Sequence, residues 1–172
     1  FSVVFEPQDI QVNASEQGDV IKFSTEHIHL EIQKEAFRLS FFNNENKLLN
    51  SDDPSFGISW QGQKVTNYKT LAQDEIFLGL GEKGGGLNRR GRSFDNWNSD
   101  AFGFNNDTDP LYVSTPFFIG IREGRPYGIF FDNTHKTHFN FGPNGIPANP
   151  KAKFWTKNGG PGTVLTRKVN RN

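Results

Sequence analysis

Four consecutive residues near the middle of the chain carry side chains of the kinds that bind sugars. Trp97, Asn98 and Asp100 lie within the tetrapeptide Trp97-Asn98-Ser99-Asp100. An indole offers a flat apolar face on which a pyranose ring can stack, and amides and carboxylates bind its paired hydroxyls. Hydrogen bonds to a carboxylate are charge-assisted and stronger than neutral ones. We therefore take Trp97, Asn98 and Asp100 as candidate substrate-binding residues.

Composition and spacing leave a second interpretation open for the same tetrapeptide. Trp97 would pack against the edge of a sheet, and Asp100 would cap a turn through its carboxylate, as Asp often does. Nothing in the local sequence decides between the sugar contact and this structural role.

Three charged residues upstream are candidates for supporting this loop: Glu82, Arg89 and Arg90. A guanidinium binds carboxylates through paired hydrogen bonds, so the arginines are expected to pair with nearby acidic residues, with an anion site as the alternative. The run Gly84-Gly85-Gly86 follows Glu82, but neither Gly-Lys-Ser/Thr nor a helical pattern comes after it. It therefore lacks the features of a phosphate-binding loop and is interpreted as a set of tight turns.

Histidines form two close pairs, His27 with His29 and His135 with His138. Both spacings permit metal ligation, but neither pair has an obvious third ligand, so we predict no metal and no cofactor. An aldose epimerase would need a His acid and a Glu base that converge in a cleft. His27 or His29 with Glu31 are the candidates, but strand alternation places them side by side, which makes this a minor alternative.

Hydrolysis of a glycosidic bond by this chain alone would require two carboxylates that flank the bond, roughly 5–10 Å apart. The chain has 19 Asp and Glu residues, yet no spacing marks any two of them as a facing pair. We therefore assign no catalytic residue within this sequence.

The elements that must position these residues are predicted to be β-strands. Apolar and polar residues alternate through 21–25, 28–33 and 37–41, and this period of two is typical of half-buried antiparallel strands. Many short strands separated by Gly- and Asn-rich turns favour an all-β antiparallel sandwich. The segment 81–110, rich in Gly, Asn, Asp and Arg, interrupts the pattern and is predicted to be a long substrate-facing loop.

The overall composition limits the possible partners. The 172 residues have a formal net charge of zero and no Cys, so we predict neither nucleic-acid binding nor a disulfide framework. No apolar run approaches the roughly 20 residues needed to span a bilayer, so no membrane segment is predicted. The start at Phe1 is not an intact signal peptide. It is compatible with a soluble protein of the periplasm or the cell exterior whose signal has been removed, and the compartment stays undecided.

Four motifs in a fixed order resemble a known family. They are Gly79-Leu80-Gly81-Glu82, Trp97-Asn98-Ser99-Asp100-Ala101, residues 109–118 (DPLYVSTPFF) and residues 127–133 (YGIFFDN). Together they are similar to the N-terminal β-sandwich of glycoside hydrolase family 31, the α-glucosidase and α-xylosidase group. The resemblance is strong over 75–141 and looser over 20–49. The basic segment 142–172 departs from it, so we divide the chain into a sandwich, residues 1–141, and this segment.

The resemblance implies a galactose-mutarotase-like sandwich (a supersandwich) that precedes a catalytic (β/α)8 barrel in the same polypeptide. The barrel would supply both carboxylates of a retaining mechanism, and a sandwich loop would reach its substrate side. The sugar contact would fall on Asp100, with Trp97 and Asn98 shaping the loop. The intact protein would then hydrolyse terminal non-reducing α-linked sugars, as in an α-linked oligosaccharide or glucoside. A stand-alone carbohydrate-binding module is the alternative.

Overall fold

The computed structural model describes residues 9–142 and, for the main chain alone, residues 151–156. These residues form thirteen β-strands and no helix, and the strands within each sheet pair in antiparallel fashion. The predicted all-β antiparallel fold class is confirmed. In the described part of the chain there is no helix long and apolar enough to cross a membrane.

The first sheet is a meander of consecutive hairpins in the order β1-β2-β3-β4-β5. Its strands are β1 (Asn13–Gln17), β2 (Val20–Ser24), β3 (Ile28–Gln33), β4 (Arg38–Asn43) and β5 (Leu48–Ser51). The register places Ile21 opposite Ile32, and Leu30 opposite Phe41. Since such cross-strand apolar pairs stabilise a sheet, the alternation in the sequence also fixes its register.

The second sheet has the order β6-β7-β13-β12-β9. Its strands are β6 (Ile58–Gln61), β7 (Lys64–Thr70), β9 (Ser93–Asn96), β12 (Thr137–Asn140) and β13 (Lys151–Thr156). Strand β9 divides the predicted loop 81–110 into two parts, because its Phe94 pairs with Phe139 of β12. Strand β13 belongs to the basic segment 142–172 and lies between β7 and β12. The sheet thus extends past residue 141, while the domain boundary itself stays a prediction.

The third sheet has the order β11-β10-β8 and consists of β8 (Ile76–Gly81), β10 (Ser114–Arg122) and β11 (Arg125–Phe130). Two glycines of the Gly79-Leu80-Gly81-Glu82 motif are required by the close approach of β8 to β10. A Cβ atom on Gly79 would lie 2.7 Å from the Phe117 carbonyl oxygen, and one on Gly81 would lie 2.7 Å from the Thr115 nitrogen. Both glycines also have positive φ angles, 113° and 82°, which side chains disfavour.

The hydrophobic core lies between the second and third sheets. Its buried members come from these two sheets and the residues that directly follow their strands: Val65, Leu71, Phe77, Leu80, Phe94, Phe118, Phe131, Phe139 and Phe141. Phe118 is central, since its ring packs against those of Phe77, Phe131, Phe139 and Phe141. The aromatic content of the sequence is therefore concentrated where the two sheets face each other.

Strand β7 joins the first sheet to this sandwich through a buried ion pair. The ammonium of Lys69 lies 2.5 Å from Asp52 Oδ1, and both side chains are fully buried. Asp52 follows β5 and forms an isolated bridge to Lys69. The sequence analysis did not predict β7, because a buried Lys breaks the apolar pattern expected of a core strand.

Candidate functional site

The loop that carries the sugar-binding candidates, here called the Trp97 loop (residues 97–109), is closed at its base by a buried lysine. Lys83 Nζ donates to the Asp95 carbonyl oxygen at 2.6 Å and to Asp109 Oδ1 at 2.8 Å. The second carboxylate oxygen of Asp109 accepts from the Asp95 main-chain N–H at 2.5 Å. Since Asp95 precedes the loop and Asp109 ends it, Lys83 and Asp109 hold its two ends together.

Ser114, the first residue of β10, fixes the beginning of the Trp97 loop. Its hydroxyl accepts from the Trp97 N–H and donates to the Trp97 carbonyl oxygen, both at 3.1 Å. Its own N–H donates to Asn98 Oδ1 at 2.8 Å. These three bonds fix the main chain of Trp97 and the side chain of Asn98, and Trp97 as a whole is 51% exposed. Whether Trp97 contacts a sugar or has a structural role stays a prediction.

Asp95 is an ion-pair centre on the outer face of β9. Its carboxylate lies 2.7 Å from His138 Nδ1 and 2.7 Å from Lys136 Nζ. Burial alone would raise the pKa of Asp95, but hydrogen bonds from Lys136 and His138, with the charges of both, outweigh it and lower the pKa below its ordinary value. The ionised form of Asp95 therefore stabilises the pairing of β9 with β12.

This lowered pKa gives a prediction for pH dependence. Because the folded-state pKa of Asp95 lies below its unfolded value of about 3.9, the stabilisation is present above that value and is lost as pH falls through the folded pKa. We expect Asp95→Asn to lower the melting temperature at pH 5 and the difference from wild type to become smaller as the pH is lowered towards 2. Thermal melts between these values check this, with the exposed Asp132→Asn as control. A difference that stays constant down to pH 2 would contradict it.

The two predicted supporting arginines are buried and bind main-chain carbonyls. Arg89 donates to the Gly86 carbonyl at 2.9 Å, and Arg90 donates to the carbonyls of Ala72 and Glu75 at 3.0 Å each. Burial lowers the pKa of both guanidinium groups. Nearby carboxylates act in the opposite direction, Asp109 on Arg89 and Glu75 and Asp74 on Arg90, and the pairing of these arginines with acidic residues stays a prediction.

Glu82, the third predicted supporting residue, is exposed at the end of β8. Its main-chain N–H donates to the Val113 carbonyl at 2.8 Å, next to the Ser114 contacts. The main chain of Glu82 thus borders the Trp97 loop, whereas a supporting role for its carboxylate stays a prediction.

A cleft of about 310 Å³ lies beside the Trp97 loop. Two segments share its lining, the end of β9 with the start of the Trp97 loop and the turn after β11; the lining residues are Asn96, Trp97, Asn98, Ser114, Pro116, Asn133, Thr134, His135 and Thr137. That turn is held by Asn133, whose side chain accepts from the His135 N–H and donates to Thr137 Oγ1, both at 2.9 Å.

The structure brings together two of the three predicted substrate-binding residues. Trp97 and Asn98 line the cleft, whereas Asp100 is exposed further along the loop and does not line it. The sequence analysis missed Lys83, Asp109 and Ser114. Asp109 and Ser114 lie in the third family-like motif, which was a usable signal, but a lysine beside a glycine run gave no indication of its burial.

The geometry gives little support for metal binding or acid–base catalysis by the histidines. His27 is exposed, while His29 is buried and stacks on Phe42 with ring centroids 4.7 Å apart, and burial lowers its pKa. Within residues 9–142 no cluster of three or more His, Cys, Asp or Glu side chains could hold a metal ion. A stacked His29 is better explained by packing than by proton transfer to a substrate.

Comparison with known proteins identifies the family. Residues 1–140 match the glycosyl hydrolase 31 N-terminal galactose mutarotase-like domain. The chain belongs to this family. The expected galactose-mutarotase-like sandwich of a family 31 enzyme is therefore confirmed, and the all-β architecture described above is that of such a domain.

Named relatives of this family 31 domain are glycosidases. It is 35% identical over 142 residues to alpha-glucosidase 2 of Bacillus thermoamyloliquefaciens, covering 81% of this chain and 18% of that protein. It is 40% identical over 82 residues to the alpha-glucosidase of Saccharolobus solfataricus, covering 48% of this chain and 12% of that protein. The chain thus spans less than a fifth of the length of either relative.

Solved structures agree with these relatives. The family 31 dextranase of Flavobacterium johnsoniae, complexed with glucose, superposes with a TM-score of 0.73 at 40% identity, covering 84% of this chain and 17% of that chain. A mutant of the same enzyme complexed with isomaltotriose gives a TM-score of 0.71 at 38% identity, covering 86% of this chain and 19% of that chain. In both cases the domain corresponds to a small part of a larger glycosidase.

Proposed function

We propose that this family 31 domain is an accessory domain of an α-glucosidase-type glycoside hydrolase. In this proposal a (β/α)8 barrel in the same polypeptide carries both catalytic carboxylates, and the Trp97 loop supplies one wall of its sugar site. The intact protein hydrolyses terminal non-reducing α-linked sugars with retention of configuration. The family match over residues 1–140 is the observation that carries this proposal.

The geometry of the Trp97 loop supports a role in binding. The loop is held at its base by Lys83 and at its beginning by Ser114, so contacts within the chain fix its two ends. Trp97 and Asp100 remain exposed despite these contacts. Pre-organised groups that stay open to solvent are suited to bind a substrate that another domain presents.

Within this proposal Asp100 contacts the sugar next to the cleaved bond. Removing its charge-assisted hydrogen bonds would cost about 1.5–3 kcal/mol, which corresponds to a loss of about tenfold to a hundredfold. We therefore expect Asp100→Ala, made in the protein that includes the downstream barrel, to lower kcat/KM for isomaltose by that factor. The matched control is Asp107→Ala, an exposed aspartate of the same loop, which should change kcat/KM less than twofold. Unchanged kinetics for Asp100→Ala would contradict the assignment of Asp100.

A stand-alone carbohydrate-binding module is the alternative, and the preformed cleft beside Trp97 is the observation that favours it. Such a module would bind maltose or isomaltose with a Kd below about 1 mM, or about −4.1 kcal/mol, without any other domain. The accessory-domain proposal expects weaker binding by the chain alone, because the barrel completes the site.

Location in the periplasm or outside the cell stays a prediction from the sequence.

A further inference from the structure

We propose that the cleft between Trp97 and the Asn133–Thr137 turn, here called the 97/133 cleft, binds one neutral pyranose unit separate from the unit contacted by Asp100. This inference rests on the proposed function and extends it, because it adds a second wall and a second sugar contact to the site. Two features of the cleft carry it: its uncharged lining, and the two segments of the chain that form it.

The lining indicates a neutral, hydroxyl-rich ligand. Among the described residues that form it there are amides, hydroxyls, one imidazole, one indole and one proline ring, but no Asp, Glu, Lys or Arg. An ionic ligand would therefore find no counter-charge in the 97/133 cleft. A volume of about 310 Å³ is at the small end of ligand pockets, which range over about 300–1,000 Å³, and suits a single ring.

Asn96 fixes the part of the cleft beside Trp97. Asn96 is only 6% exposed, and its amide nitrogen donates to the Thr115 carbonyl at 3.0 Å. Its Oδ1 atom has no hydrogen-bond partner in the described part of the chain. Since Asn96 Oδ1 is buried, Asn96 shapes the cleft through its bond to Thr115, and the exposed groups beside it are the ones that can contact a ligand.

The two walls suit a ring with one apolar face. The exposed residue Trp97 contributes its indole from one segment, and the exposed residues Thr134 and His135 provide hydroxyl and imidazole groups from the other. Asn133 fixes the second wall through its bonds to His135 and Thr137. A pyranose can stack on Trp97 while its hydroxyls face His135, whereas Asp100 lies outside this space.

The test is an NMR titration of the isotope-labelled chain with methyl α-D-glucopyranoside, which has a single ring. We expect saturable shifts confined to residues 96–98 and 133–137, with a Kd above about 1 mM. His135→Ala should weaken binding about fivefold, as loss of one hydrogen bond of about 1 kcal/mol predicts, and Trp97→Ala should abolish it. The controls Asp107→Ala and His27→Ala, both at exposed positions, should leave Kd within twofold. Sorbitol, which has hydroxyls but no ring, should give no saturable shifts.

Two results would overturn the inference. The first is that the wild-type chain shows no saturable shift in the 97/133 cleft. The second is that saturable shifts persist in His135→Ala and Trp97→Ala but are lost in Asp100→Ala. These failures are distinguishable from failure of the proposed function. If the cleft binds no sugar but hydrolysis by the longer protein depends on Asp100, the inference fails and the proposed function stands. If the cleft binds the glucoside but the longer protein has no glycosidase activity, the cleft is a sugar site and the proposed function is contradicted.

Discussion

Lys83→Met is expected to lower the free energy of unfolding by about 3 kcal/mol. Loss of one partner from a buried ion pair typically costs about 3–5 kcal/mol, because the other charge is left without compensation. The effect should lie at the low end, since Asp109 is partly exposed, with 19% of its side chain accessible, and keeps its bond from the Asp95 N–H. For a domain of this size, about 2–4 °C per kcal/mol corresponds to a fall in Tm of roughly 6–12 °C.

Lys136→Met is the matched control for Lys83→Met. Lys136 also pairs with a carboxylate at the base of the Trp97 loop, but 46% of its side chain is exposed. Exposed ion pairs contribute about 0–1 kcal/mol, so its Tm should change by no more than a few degrees. Hydrogen exchange should also become faster in residues 97–108 of Lys83→Met. Equal Tm values for the two variants would show that Lys83 does not close the loop.

Phe118→Ala is the second change with a large expected effect. Removing a fully buried Phe leaves a cavity and costs about 3–5 kcal/mol. The side chain of Phe118 is 0% exposed and contacts four other phenylalanine rings, so relaxation can fill little of the space. We expect the upper half of that range, measured by urea unfolding.

The neighbouring Phe117 provides the control for Phe118→Ala. It lies on the same strand β10 but points to the opposite face and is 37% exposed. Phe117→Ala removes apolar surface without leaving an enclosed cavity, so it should cost at most about half as much as Phe118→Ala. Similar losses for both variants would mean that the core does not lie between the second and third sheets.

The first sheet and its register could be predicted from the sequence because its hairpins are local. Residues 20–33, for example, alternate in polarity and pair across one short turn, so local pattern and final pairing coincide. Strand β7 could not be predicted in this way. Its buried Lys69 is stabilised by Asp52, seventeen positions earlier in the sequence, and only the folded chain brings these charges within 2.5 Å.

Only part of the candidate site was predictable from the sequence. Trp97 and Asn98 could be identified from residue type and from the family-like motifs around them. The wall formed by Asn133 and His135 could not, because it follows a different strand and approaches Trp97 only through pairing of β9 with β12. The carbonyl partners of Arg89 and Arg90 could not be predicted, because they depend on the path of the Gly-rich turn and of the turn after β7.

The central claim is that this family 31 domain contributes to a sugar site whose catalytic groups lie in another domain. The direct measurement is release of the aryl group from an aryl α-glucoside by residues 1–172 alone and by the protein that includes the downstream region. We predict no turnover by residues 1–172 and hydrolysis with retained configuration by the longer protein. Turnover by purified residues 1–172 that disappears on mutation of one of their own carboxylates would contradict the claim.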